Sequence, residues 1–396
     1  MKYRTTHPWI TFQLTVPQHS GLWLRLGELA SKCEHLCGAP LAPWIESELN
    51  QIYLAKGVMA TTAIEGNTLT EDQVLQQVKG ELNLPPSQQY LQREVQNIIE
   101  ACNEEVREHL ESHEETPLLD EARIRRYNRQ VLNGLDLNED VVPGEYRYHN
   151  VVVGNVYRGA PAEDCPYLMD RLCQWLNSSD FATPENEPDF RLPITIIKAI
   201  VAHIYLAWIH PFGDGNGRTA RLLEFHILYS AGIPLPAAHL LSDHYNLTRT
   251  RYYQQLDRAS KSDGDIIPFL MYAIEGFLDG IRSQISRIRQ FHLRIAWEHF
   301  ATERLGEEKP SPARERRRNL IFSLGRTHHN QWVPTAAIEE LNRELALAYV
   351  HAGDRMLSRD LNALKKLGLL ERQHGKVRAM VEQIEAFLPR QVKQPN

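Results

Sequence analysis

Apolar residues recur at three- and four-residue spacing through most of this 396-residue chain, and strict alternation is scarce, so the pattern predicts a mainly helical protein. Residues 1 to about 110 read as helices with little strand signal. The stretch Ile196 to Ile209 is apolar around most of its circumference, which predicts a buried helix. Helical spacing resumes at Leu222, Leu223, Phe225 and Leu228, and again through Phe291 and Trp297 to Gly306. Pro143-Gly144-Glu145-Tyr146-Arg147 leads into Val151-Val152-Val153, then Gly154-Asn155, then Val156-Tyr157. Two β-branched runs split by turn residues predict a hairpin. Beyond residue 312 the order is helix (Arg314 to Leu324), a short Trp332-Val333 strand, helix (Thr335 to about Leu347) and helix (Arg355 to Leu367). Leu369-Leu370-Glu371-Arg372 and Val377-Arg378-Ala379, with Gly375 between them, predict a second small hairpin.

Composition adds boundaries to this pattern. A 42% hydrophobic chain of this length can bury a substantial core and is expected to hold two or three domains. The divisions expected are a helical region over 1–110, a core over 111–290, a helix and linker over 291–312, and a tail domain over 313–396. Glu307-Glu308-Lys309-Pro310-Ser311-Pro312 supplies the linker chemistry. No uninterrupted apolar start, cleavage site or stretch of membrane-spanning length is read from the sequence, and five cysteines make a sparse, odd set. A cytoplasmic protein with no membrane partner is the expectation. Cys33-x-His35-x-Cys37 has no partner cluster and is read as helix packing rather than a zinc site.

The densest chemistry lies at His210-Pro211-Phe212-Gly213-Asp214-Gly215-Asn216-Gly217-Arg218-Thr219-Ala220-Arg221. Pro211 disfavours helix at the residue before it, so the buried helix should deliver His210 to a loop. Gly213, Gly215 and Gly217 permit backbone angles that a β-carbon forbids. The loop should open onto a helix N-terminus, where backbone amides and the helix dipole favour an anion. Arg218 and Arg221, three apart, share a helix face and suit a polyphosphate. Phe212 is expected to pin the loop to the core.

This run reads H-x-F-x-D-G-N-G-R-x-x-R and resembles the signature of the Fic family; eight specified positions give a chance match of about 10⁻¹⁰ per starting residue. The resemblance implies a Fic helical bundle that cleaves ATP between its α and β phosphates and transfers AMP to a Tyr, Thr or Ser hydroxyl of a target protein. By position, it implies His210 as general base, Asp214 as ligand of Mg²⁺, and Gly215, Asn216 and Gly217 as the phosphate cradle. Arg218 would face the β-phosphate and Arg221 the γ-phosphate. Val151, Val152 and Val153 resemble the family's flap, which holds a target segment in extended form; an ordinary hairpin is the other reading. Arg251-Tyr252-Tyr253-Gln254-Gln255-Leu256 matches a family pattern near the adenine pocket, where Tyr252 or Tyr253 would line the base.

Upstream, Thr61-Thr62-Ala63-Ile64-Glu65-Gly66-Asn67 resembles the family's inhibitory motif, with Thr61, Glu65 and Gly66 at its specified positions. There the glutamate reaches the second arginine of the signature and takes the place of the γ-phosphate, which on this chain implies a Glu65–Arg221 pair. Whether it acts within one chain or across a homodimer is open. The same residues also read as a helix C-terminus closed by Gly66 and Asn67, followed by a capping box Thr70-x-x-Gln73, and both readings can hold together.

Charge shifts in the tail. Residues 307–378 carry 14 Lys+Arg against 9 Asp+Glu, a balance of +5 on a chain whose net charge is −6. The tail resembles a winged helix-turn-helix, with Leu357, Leu361 and Leu364 toward the core and Arg355, Ser358, Arg359, Asn362 and Lys366 outward. Both DNA binding and protein docking fit such a module. The leading expectation is a self-inhibited protein adenylyltransferase. The alternatives are a Fic-type transferase with another donor, an enzyme that removes AMP, and a nucleotide-sensing DNA-binding transcriptional regulator.

Overall fold

The computed structural model describes residues 1–14, 19–111, 118–153, 157–306, 309–327, 331–350 and 354–385. The chain divides by internal packing into two units, Met1–Gln284 and Ile285–Asn396. The architecture is mainly helical, with one two-stranded and one three-stranded sheet.

The first unit runs through α1 (Tyr3–Thr6), α2 (Ser20–Cys37), α3 (Pro43–Ile64), α4 (Glu71–Val78), α5 (Gln89–Glu111) and α6 (Glu121–Val131). A hairpin follows, β1 (Val152–Val153) and β2 (Tyr157–Arg158), paired antiparallel with Val153 opposite Tyr157. Its expected turn, Gly154-Asn155 and Val156, lies outside the described residues. Next come α7 (Cys165–Leu176), α8 (Arg191–Ile209), α9 (Asn216–Ser230), α10 (Leu235–Ala238), α11 (Leu240–Leu247) and α12 (Arg249–Lys261). Then α13 (Ile267–Gly306) runs through the division between the units.

Helices α8 and α9 form the centre of this unit. From Ala199 to Leu206 every residue of α8 is buried, and α9 is nearly as enclosed. The stretch Pro188–Ile209 is, by length and composition, apolar enough to cross a membrane, which corrects the expectation that no segment approaches that length. Within the fold its most apolar window is 72% buried, because neighbouring helices cover it on every side. Polar cross-links then fix what surrounds α9. Glu105 of α5 is 2% exposed and takes His226 Nδ1 at 2.6 Å together with Arg123 and Arg126 of α6. Burial works against that carboxylate, yet His226 and Arg123 hold its pKa below the usual range. Three helices are thereby locked at one point.

The C-terminus of α3 shows why two readings of one motif coexist. Gly66 takes φ +106, which a β-carbon resists, and the Thr70–Gln73 capping box then starts α4. Of the run read as helix packing, Cys33 is buried on α2, whereas His35 and Cys37 are exposed and do not pack.

The second unit contains α14 (Pro312–Thr327), β3 (Val333–Pro334), a 3₁₀ segment Thr335–Glu340, α15 (Arg343–Val350), α16 (Asp354–Lys366), β4 (Leu370–Gln373), β5 (Lys376–Ala379) and α17 (Glu382–Glu385). The expected helix from Thr335 to about Leu347 is instead two pieces, broken near Leu341-Asn342, where the Asn342 side chain accepts from Leu345 N and caps the second. The sheet order is β3-β5-β4, antiparallel throughout. Leu357, Leu361 and Leu364 join Trp297, Leu320, Leu324, Ile338 and Val377 in one core. Asp360, 1% exposed, is held there by Arg316 at 2.6 Å, Arg317 at 2.9 Å and the Tyr349 hydroxyl at 3.0 Å.

Candidate active site

The site begins where α8 stops. His210 caps that helix in the left-handed region, φ 50 and ψ 57, a conformation that costs a non-glycine residue about 1–3 kcal/mol. Arg147 holds it there. Its guanidinium donates to the His210 carbonyl at 2.7 Å, to the His149 carbonyl at 2.7 Å and to the Ala160 carbonyl, while its backbone N–H donates to Pro211 O at 2.9 Å. A single buried arginine thus stitches the hairpin region to the loop. Phe212, 1% exposed, pins the loop from below and bridges Tyr146.

The loop is closed by side chains that the sequence presented as ligand-facing or not at all. The Asn216 amide accepts from Phe212 N at 2.9 Å and donates to Phe212 O at 2.8 Å, so its side chain shapes the loop and leaves its backbone N–H at the first turn of α9. Asn128 of α6, 1% exposed, donates to Asp214 O at 2.9 Å and accepts from Gly144 N at 2.9 Å. Of the three loop glycines only Gly215 takes a positive φ, +74. Gly213 and Gly217 are there for space. A β-carbon at Gly213 would meet Val141 Cγ2 at 3.0 Å, and one at Gly217 would meet Glu65 Oε1 at 2.2 Å.

Two arginines flank the start of α9, both buried. Arg218 lies between Asp214 Oδ1 at 3.3 Å and Glu94 Oε1 at 3.2 Å. Glu94 Oε2 in turn accepts from Asn67 at 2.9 Å, so this α5 carboxylate links the turn after α3 to Arg218. Arg221 donates to Glu65 Oε1 at 2.5 Å and to the Thr61 carbonyl at 3.0 Å. Burial disfavours the Glu65 charge, but Arg221, with Arg218 and His210 behind it, outweighs burial and keeps the carboxyl below its ordinary pKa. The last turn of α3 is held from α12 as well, by Arg249 on Ala63 O at 3.1 Å and Tyr253 on Ile64 O at 3.4 Å.

These residues open into a cavity of about 510 Å³ lined by Glu65, Val153, Tyr157, Trp208, His210, Gly217, Arg221, Tyr252, Tyr253 and Leu256, among others. Its two ends differ in character. At one, the α9 N-terminus and Arg221 suit an anion; at the other, aromatic and aliphatic walls suit a flat apolar group. Burial pushes the His210 imidazole down to about 4, against the Ala207 carbonyl, Glu65 and Asp214, so near neutral pH it is an unprotonated base.

Of the residues expected at the site, His210, Gly217, Arg221, Glu65, Tyr252 and Tyr253 line the cavity, while Asp214, Gly215, Asn216 and Arg218 adjoin it along the chain without lining it and Thr61 reaches it through its contact with Arg221. Of the hairpin valines, Val153 lines the cavity and Val152 is 55% exposed, while the Val151 carbonyl accepts from Gly159 N at 3.2 Å. Arg147, Asn128, Glu94, Tyr157 and Trp208 were not singled out. Each acts through a contact distant in sequence, for which the linear pattern holds no signal.

Residues 118–228 match the Fic/DOC family model. It is similar to the protein adenylyltransferase Fic of Nematostella vectensis, 34% identical over 212 residues that cover 54% of this chain and 44% of the relative. The protein of that name from Drosophila melanogaster is 34% identical over 206 residues, 50% of this chain and 37% of the relative. The chain therefore spans less than half the length of these two relatives. Among solved structures, a Fic family protein from Desulfovibrio desulfuricans has a TM-score of 0.54 at 20% identity, covering 93% of this chain and 97% of that one, and so shares the fold. A Fic domain containing signaling protein from Bacteroides thetaiotaomicron has a TM-score of 0.54 at 26% identity, over 67% of this chain and 98% of the other.

Proposed function

We propose that the protein is a self-inhibited protein adenylyltransferase, which moves AMP from ATP to a Tyr, Thr or Ser hydroxyl of a target protein. The observation that carries this reading is the Glu65–Arg221 pair inside the cavity that also presents His210. In the reaction, neutral His210 takes the proton of the target hydroxyl, whose oxygen attacks the α-phosphorus as the bond to the pyrophosphate oxygen breaks. The α9 N-terminus and Arg218 carry the negative charge of the phosphates, and Arg221 receives the γ-phosphate once Glu65 has left. Val153, Tyr252, Tyr253 and Leu256 enclose the base, and the β1 edge receives the target segment.

Mg²⁺ fits the donor set. The Asp214 carboxylate is 52% exposed, and its contacts to Gly215 N and Arg218 both use Oδ1, so the second oxygen is a donor for a hard cation beside phosphates. When bound, the ion would neutralise the leaving pyrophosphate. The deciding experiment follows label from α-phosphate-labelled ATP onto protein in wild type, Glu65→Gly and Glu65→Gly/His210→Ala. Label in Glu65→Gly alone, or far above wild type, is expected. Absence of label in every lane would overturn the reading and direct attention to other donors or to AMP removal, which wild type would perform and Glu65→Gly would not.

The second unit supports an additional role. Arg355, Arg359 and Asn362 are exposed on α16, and Lys376 is exposed on β5, while the opposite face of α16 is core. Ser358 and Asn362 lie beside Arg372 of β4, at 3.3 and 3.5 Å. We read this unit as a winged helix that offers α16 to duplex DNA. Binding that weakens steeply with salt and is lost in Arg359→Ala is expected; binding indifferent to both would refute it and leave a protein-docking module.

A further inference from the structure

Behind the aromatic wall of the cavity lies a buried polar cluster that the proposed reaction does not use. Tyr252 lines the cavity, but its hydroxyl turns inward to His203 Nε2 at 2.9 Å. His203, on α8, is fully buried. Its other ring nitrogen, Nδ1, faces Oε2 of Glu224 on α9 at 3.6 Å, too long for a hydrogen bond, and neither atom has a hydrogen-bond partner among the described residues. Glu224 is 1% exposed, and its Oε1 accepts from the Tyr245 hydroxyl of α11 at 2.9 Å. Tyr245 stacks on Tyr252, with ring centroids 4.8 Å apart and planes 25° from parallel. Four helices each send one polar side chain into the same enclosed space.

Such a cluster is costly in a core where apolar side chains would pack without penalty. One arrangement of its donors and acceptors links all four groups. Glu224 Oε1 accepts from Tyr245, so Oε2, an acceptor facing the ring at 3.6 Å, favours the ring proton on Nδ1. Nε2 is then the lone-pair nitrogen, and the Tyr252 hydroxyl must be its donor. The phenol is thus fixed from behind, its rotation stopped and its ring presented as a rigid wall.

We infer that His203 and Glu224 are positioning residues for the nucleotide site: a carboxylate–imidazole–phenol chain that sets Tyr252 against the base of a nucleoside triphosphate. The inference rests on the proposed adenylyltransferase reading for its ligand, not for its geometry. A wall held by supporting hydrogen bonds binds a flat base with less ordering cost than a free tyrosine. Glu224 lies one turn beyond Arg221 on α9, so the same short helix anchors both the phosphate end and, through His203, the base end.

The test uses the full chain in the Glu65→Gly background with Tyr252→Phe, His203→Gln, Glu224→Gln and the Tyr252→Phe/His203→Gln pair. ATP dissociation constants, KM and kcat for label transfer, and melting temperatures are measured for each. Each single change should raise Kd and KM for ATP about 5- to 10-fold, the worth of one buried hydrogen bond, and leave kcat at saturating ATP within about twofold. The pair should bind no worse than the weaker single variant, because both cuts fall on one chain. Unchanged Kd in all three single variants, or fully additive losses in the pair, would overturn the inference. A second measurement needs no nucleotide: ¹⁵N spectra of the histidine rings should report His203 protonated at Nδ1, and Glu224→Gln should disturb that signal. Protonation at Nε2 in the parent would sink the proposal even if the variants fold poorly. Weakened ATP binding with no transfer in any chain would refute the adenylylation reading alone and support the positioning role.

Discussion

Gly217→Ala tests the inhibitory role proposed for the Glu65 carboxylate at the place the structure gives it. The added β-carbon would lie 2.2 Å from Glu65 Oε1 and 3.1 Å from Arg221 Nη1. Carbon and oxygen do not approach so closely, and the glutamate head is the flexible partner, so Oε1 must retreat by about 1 Å. A 2.5 Å bond to Arg221 lengthened by that amount is no longer a hydrogen bond. A charge-assisted bond contributes about 1.5–3 kcal/mol, and with Glu65 a third exposed the lower half applies, which corresponds to a gain of about 10- to 30-fold in productive ATP binding. Gly217 is in the first turn of α9, where alanine is a good helix former, so the fold should survive. The assay is label transfer from α-phosphate-labelled ATP, with Glu65→Gly/Gly217→Ala as control for obstruction of the phosphates. Wild-type silence in Gly217→Ala alongside full activity in the double variant would refute the reasoning, because the methyl would then neither move Glu65 nor block ATP.

Arg147→Lys should lower kcat about 10- to 100-fold with little change in ATP affinity, since one ammonium cannot span the carbonyls of His210, His149 and Ala160 together; steady-state kinetics in the Glu65→Gly background decides. Arg249→Ala frees the Ala63 carbonyl at the end of α3 and should raise the basal transfer of the otherwise native chain about 2- to 5-fold, read in the same label assay, while unchanged activity would mean that contact does not hold the latch. His210 and His239 are both depressed to about 4 by burial, from 6.5, so the folded state takes up fewer protons than the unfolded chain between those values. Stability should therefore be full above about pH 6.5 and fall as pH drops toward 4, by up to about 3 kcal/mol per histidine, as denaturant titrations across that range will measure. Transfer by Glu65→Gly should show no loss near pH 6.5 that tracks protonation of His210.

The 210–221 run could be read along the chain because its geometry is local. Proline ends α8, glycine turns the loop, and the helix that follows supplies the amides, so neighbouring residues encode one another's positions. Glu65 and Arg221 are 156 positions apart, and only the family resemblance joined them; nothing in their spacing does. Asn216 shows the limit even for local sequence. An asparagine at a helix start can face a ligand or its own backbone, and here the Phe212 peptide takes both ends of the amide. In the sequence Arg147 is one basic residue ahead of a hairpin, and its role depends on the carbonyls that converge on it from distant segments. Two of the three loop glycines serve clearance rather than backbone angle, a distinction that needs the neighbours Val141 and Glu65 in view.

The strength of the latch decides how silent the resting protein is. An ion pair contributing about 2 kcal/mol leaves roughly 3% of molecules open, which is a substantial leak for the transferase proposed above. Tighter inhibition cannot come from the carboxylate alone, because a γ-phosphate offers Arg221 more charge than Glu65 does. The structure supplies the rest through the backbone. Arg221 also holds Thr61 O, Arg249 holds Ala63 O and Tyr253 holds Ile64 O, so Glu65 is presented by a helix end tied down at three carbonyls. Swinging the side chain aside breaks one contact, whereas moving the last turn of α3 breaks them all. Tyr253 and Arg221 both line the cavity, and both are members of that tie. On the proposed reading, release and binding therefore draw on the same residues, and a signal that opens the site must act on the end of α3 rather than on Glu65 alone.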